Sequence, residues 1–81
     1  MSQTHFLKCA KPFFEDVLLG IKTFEYRIND RDFQVGDIIT LDEIEDNGEY
    51  TGREFSVEVT YMLQNFSGLD PKYCIMAIKV L

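Results

Sequence analysis

The chain predicts a mainly β, α+β domain with one or two short helices, its sheet curled into a small barrel. Three observations carry this. Apolar and polar residues alternate with period two over much of the 81-residue chain, most clearly from Arg53 to Met62. A single helical stripe interrupts the pattern near the N-terminus, at Phe13, Phe14, Val17 and Leu18. Gly36, Gly52 and Gly68 then fall where a curling sheet needs corners, and closure removes vulnerable edges.

Thr4 to Cys9 reads as the first strand, with His5, Leu7 and Cys9 on one face and Phe6 and Lys8 on the other. Pro12 suits the first helical turn, where its missing N–H costs nothing, and Glu15 and Asp16 are expected in that turn too. Gly20 stops the helix. Phe24–Ile28 is the second strand, and Asn29–Asp32 a polar loop. Val35-Gly36-Asp37 turns into a third strand, Ile38 to Ile44, and Asn47-Gly48 marks a hairpin. Gly52 signals a second turn or a bulge before the strand from Arg53 to Met62, in which Phe55, Val57, Val59 and Tyr61 should face inward. A loop from Gln64 to Pro71 precedes Lys72–Val80, a strand apolar on both faces and so expected at a covered, central position.

A chain of this length forms one domain, residues 1–81, and buries only about 60–65% of the surface it exposes unfolded. Its two cysteines, Cys9 and Cys74, lie in apolar strand-like runs and fit buried thiols in a reducing cytoplasm. With His5 the only other soft ligand, no metal or other cofactor is expected. Met1–His5 lacks the basic-then-apolar order of a signal peptide, and no apolar run approaches the roughly 20 residues of a membrane helix. The expectation is a soluble cytoplasmic protein without a membrane partner.

A net charge of −6 argues against generic nucleic-acid binding, but the charge is polarised. Asp42, Glu43, Glu45, Asp46, Glu49, Glu54 and Glu58 crowd one stretch with only Arg53 to offset them. Between His5 and Arg31, five basic residues face four acidic ones, so an anionic ligand should approach the N-terminal half.

The most informative stretch is Gly20-Ile21-Lys22-Thr23-Phe24-Glu25-Tyr26-Arg27. On a regular strand Phe24, Tyr26 and Ile28 share one face, and Glu25, Arg27 and Asn29 the other. That second face suits recognition of a phosphate or a base edge, and equally a plain ion pair between Glu25 and Arg27. Lys22 is expected exposed at the mouth of a cleft. Asn29 and Arg31 are candidates to close over a ligand, Tyr50 and Arg53 to add stacking and a phosphate contact, and His5 and Lys8 to line the site. Each also has an ordinary structural reading, as turn former, surface charge or packed side chain. The chain has no phosphate-cradling glycine loop, Ser-His-Asp set or carboxylate dyad, which favours a binding module over an enzyme.

Gly20, Lys22, Glu25 and Arg27 match G-x-K-x-x-E-x-R, and the chain thereby resembles the ASCH (activating signal cointegrator homology) superfamily. His5–Lys8, Phe24–Arg27, Asn29–Asp37 and Tyr50–Arg53 extend the likeness to a compact bacterial and phage family within it. The resemblance implies a PUA-like β-barrel whose signature lines a cleft beside the helix, and RNA or nucleotide binding, single-stranded or modified, through Lys22, Glu25 and Arg27. Some small members it resembles are amidohydrolases of acetylated cytidine that use a lysine, a threonine three residues later and a glutamate. Lys22 matches the lysine, but Glu25 stands at the threonine position, and the segment that supplies the glutamate is shortened between Met62 and Lys72. The alternatives to RNA binding are therefore such a nucleoside hydrolase, or an acidic interaction module that docks a basic protein through Asp42–Glu58.

Overall fold

The computed structural model describes residues 2–81. Strand β1 (Thr4–Ala10) leads into helix α1 (Lys11–Leu18), followed by β2 (Phe24–Ile28), β3 (Ile38–Ile44), β4 (Tyr50–Leu63) and β5 (Tyr73–Val80). The fold class is the mainly β, α+β one that the sequence predicts. The strands form one sheet in the order β1-β3-β4-β5-β2, curled into a half-barrel. The β1–β3 pair is parallel and every other pair antiparallel. β5 lies between β4 and β2, the interior position its two apolar faces require.

The concave side holds the core. Leu7 and Cys9 from β1, Ile39 and Leu41 from β3, Val57 and Val59 from β4, and Cys74, Met76 and Ile78 from β5 are all buried there. Helix α1 inserts Phe14 and Val17 into the same core, and the Phe14 ring meets Phe55 edge-on at 4.8 Å. Eight residues are too few for an independently stable helix, so this burial holds it. Its end is a Schellman motif: Gly20 N–H donates to Val17 O at 3.0 Å and Ile21 N–H to Asp16 O at 2.9 Å, with Gly20 at φ +76°. Because the helix begins at Lys11, Glu15 and Asp16 lie beyond its first turn rather than in it. Glu15 instead pairs with Arg53 at 3.2 Å.

Two irregularities reshape β4. Opposite the step from Asp42 to Ile44 it carries extra residues around Gly52, whose φ is +93°, so the bulge reading of that glycine holds. A second bulge falls between Val59 and Tyr61, opposite Ile78 and Ala77. It leaves Thr60 unpaired and reverses the alternation beyond it. Tyr61, expected inward, is therefore turned outward and 64% exposed, while Met62 packs against the core.

The loop before β3 is anchored by Asp37, which is completely buried. Its carboxylate accepts from Gln3 N–H and Gln34 N–H at 3.0 Å each and lies 2.8 Å from His5 Nε2. Burial alone would push this carboxyl up, but those hydrogen bonds outweigh it and hold the group below its usual range. Among the described residues, no helix is long and apolar enough to cross a membrane.

Candidate functional site: a cleft between helix and edge strand

The Schellman turn sends the chain back along the helix and delivers Lys22 to the rim of a hollow of about 420 Å³. Cys9 and Ala10 from β1, Phe13 from α1, and Phe24 to Arg27 from β2 complete its walls. Strand periodicity divides β2 as the sequence predicts. Glu25 and Arg27 turn to the concave side, and Phe24, Tyr26 and Ile28 stay exposed.

Glu25 is the centre of the arrangement and is 5% exposed. Arg27 Nε donates to its Oε2 at 2.9 Å, and Lys22 Nζ to its Oε1 at 3.3 Å. Each carboxylate oxygen thus has its own cation, and the triad carries one net positive charge into the hollow. Lys22 is less open than expected. Its ammonium also donates to Phe24 O at 2.7 Å and lies over the Phe13 and Phe24 rings, 5.7 Å and 4.8 Å from their centroids.

Arg27 also spans the mouth of the half-barrel. Its Nη2 donates to Lys8 O on β1 at 2.6 Å, and Arg31 Nη1 donates to Phe6 O at 2.8 Å. β1 and β2 are the two edges of the sheet, so these guanidinium groups link them in place of a strand ladder. The ligand and ion-pair readings of Arg27 therefore meet in one side chain. A second hollow of about 350 Å³ adjoins the first, with Tyr26 and Arg27 as shared wall and Arg31 and Asp30 beyond.

The remaining candidates lie elsewhere. His5 is buried against Asp37, with the Phe33 ring edge-on at 4.7 Å. Asn29 braces the following loop: its Oδ1 accepts from Phe33 N–H and its Nδ2 donates to Gln64 Oε1, both at 2.9 Å. Arg53 joins Glu15 to buried Glu43 and lies 5.0 Å over the Phe14 ring. Tyr50 and Lys8 stack on one another at 5.7 Å. Among the acids, Asp42 stands opposite Glu54, and the hydrogen bond between them, with their mutual repulsion, raises the Glu54 carboxyl.

Cys9, Phe13 and Phe24 were missed as cleft residues. Phe13 had been assigned to the helix's apolar stripe, yet it is 53% exposed at the rim. Burial, reinforced by Glu25 and Glu43 and opposed by Lys22 and Arg27, pushes the Cys9 thiol up to about 11, so it is protonated at neutral pH. The cleft therefore offers a carboxylate acceptor, two cations and two aromatic rings, without an activated nucleophile. Thr23, the one hydroxyl next to Lys22 in sequence, lines an adjoining hollow with Lys22, Ile78 and Val80, from which Glu25 is absent.

A family model described as a domain of unknown function (DUF3850) matches residues 4–78. No curated protein matches the chain.

Proposed function

Because the chain belongs to the DUF3850 family, its role has to be read from the cleft, and we propose that it is an ASCH-type module that binds RNA or a nucleotide there. One observation carries this: a carboxylate clamped between Lys22 and Arg27 at the floor of a 420 Å³ hollow whose rim presents two open aromatic rings. That volume lies within the usual range for a small-molecule site. Phe13 and Phe24 offer π-faces on which an unstacked base can lie. The fork of Arg27 retains N–H donors for a phosphate, and Glu25 accepts from an exocyclic amino group. Recognition of this kind selects single-stranded or modified nucleotides over duplex. A cytoplasmic setting goes with the reading, since both cysteines are free and buried.

Binding is favoured over nucleoside hydrolysis because Thr23 lies outside the hollow that holds Glu25, and an activated hydroxyl needs its base within hydrogen-bond reach. Titration of nucleotides and short single-stranded RNAs by fluorescence anisotropy or calorimetry tests the proposal. Arg27→Ala should weaken binding at least about tenfold, the equivalent of roughly 1.4 kcal/mol. Arg27→Lys should restore only part, because an ammonium cannot span Glu25 and Lys8 O together. Binding indifferent to both substitutions rejects this site. Turnover of acetylated cytidine that disappears in Lys22→Ala would favour the hydrolase instead.

A further inference from the structure

The convex side of the sheet divides into two halves of opposite character. Over β1, β3 and the start of β4 it carries Thr4, Lys8, Thr40, Asp42, Glu54 and Glu58, with Phe6 exposed among them. Over β2, β5 and the end of β4 it is apolar and aromatic, bordered by Lys79, which stands opposite Glu58. Pairing register aligns Tyr61, Ala77 and Phe24 in one row, Leu63, Ile75 and Tyr26 in the next, and Tyr73 with Ile28 in a third. Tyr61, Phe24, Tyr26 and Ile28 are each about half exposed or more. Tyr26 stacks flat on Tyr73, with centroids 4.7 Å apart and planes 14° from parallel, so the face is smooth. The bulge at Thr60 is what turns Tyr61 and Leu63 onto it. With a regular β4, Thr60 and Met62 would stand there in place of Tyr61 and Leu63.

We propose that this face is the interface of a symmetric pair of chains, packed sheet on sheet. Three considerations point to a second copy. First, β5 is apolar on both faces from Tyr73 to Ile78, a pattern typical of strands covered on both sides, yet only its concave face is fully covered within one chain. Second, with large side chains contributing about 150–200 Å² each when fully exposed, the face offers roughly 600 Å². Two such faces together bury roughly 1,200 Å², the lower end for a specific interface. Third, the three aromatic and aliphatic rows themselves carry no charge, and the one cation at their border, Lys79, already stands opposite Glu58, so nothing in the patch selects a strongly charged partner. Pairing through it keeps the acidic half of each chain, in a molecule of net charge −6, away from its copy. Aligned sheets pack about 10 Å apart, and flat aromatic rows are self-complementary across a two-fold axis. Glu25 and Arg27 lie on the opposite face of β2, but Phe24 and Tyr26 also border the cleft, so pairing and ligand meet at these two rings.

Sedimentation equilibrium over concentrations up to roughly 0.5 mM, where even weak dimers populate, tests the proposal. The wild-type chain should approach twice its 9.5 kDa mass. Tyr61→Glu and Leu63→Glu, checked for an unchanged far-ultraviolet circular dichroism spectrum, should each raise the dimer dissociation constant at least tenfold. A wild-type chain that stays monomeric throughout overturns the proposal, as does a dimer unmoved by whichever variant folds. A monomer whose Tyr26, Tyr61 and Tyr73 resonances shift with short RNA would assign the face to nucleic acid instead.

Discussion

Asp37 shows how much of this fold rests on a single buried carboxylate. It gathers Gln3, His5 and Gln34 from two segments, and the amide of an asparagine would offer only one acceptor oxygen in its place. Asp37→Asn should cost about 3 kcal/mol at neutral pH, as removal of one partner of a buried pair does. Because its folded pKa lies below the ordinary 3.8, the group's contribution is complete above that value and fades as pH falls through the lower folded pKa. In urea titrations the gap between wild type and variant should therefore hold steady above about pH 3.8 and narrow as pH falls below it. Cys9 yields a second expectation. With its thiol pushed up to about 11 and that of Cys74 also raised by burial, both should resist a disulfide reagent at pH 8 until the chain unfolds. Rapid labelling of the native protein would contradict this. At this scale the sequence was partly legible. Lys22, Glu25 and Arg27 share a site because strand periodicity and the helix stop put them there. His5 and Asn29 were ambiguous because their partners, Asp37 and Gln64, are 32 and 35 residues away, and nothing local specifies such pairs.

Among the elements, β2, β3 and the helix were readable because their signals are local: alternation, a proline in the first turn and a glycine at the end. Gly20 has open space around the position of a Cβ, so Gly20→Ala meets no clash and loses only through its positive φ. The expected cost is about 1–2 kcal/mol, measured by chemical denaturation. Since that turn aims Lys22, ligand affinity should fall alongside stability. A smaller stability loss with intact affinity would show that Lys22 reaches Glu25 without the motif. The bulge at Thr60 was not legible. Its residues, Val59-Thr60-Tyr61, continue the alternation in sequence, and only the register against β5, a long-range pairing, leaves one of them over. The first bulge was legible because Gly52 announces it.

For the molecule as a whole, the opposition between an acidic total and a cationic cleft governs how ligand binding responds to salt. A single strand releases about 0.7 counterion per phosphate contacted. Contacts at Arg27 and Arg31 alone therefore predict a slope of roughly −1 to −1.5 for log affinity against log salt. A slope much steeper than this would mean that the footprint extends well beyond the two hollows. The curl of the sheet was only partly foreseeable: Gly52 sits at a strand bulge, but Gly36 and Gly68, expected as corners, lie in the loops before β3 and β5, and the way the rims meet depends on two long side chains reaching across. That bridging has a consequence for the solubility of the protein. An intruding strand must find free main-chain acceptors along β1, and the oxygens of Phe6 and Lys8 already hold guanidinium groups. The same arginines that hold the fold's margins together thus occupy part of the open β1 edge, so trimming them should raise the tendency of that edge to pair with another chain.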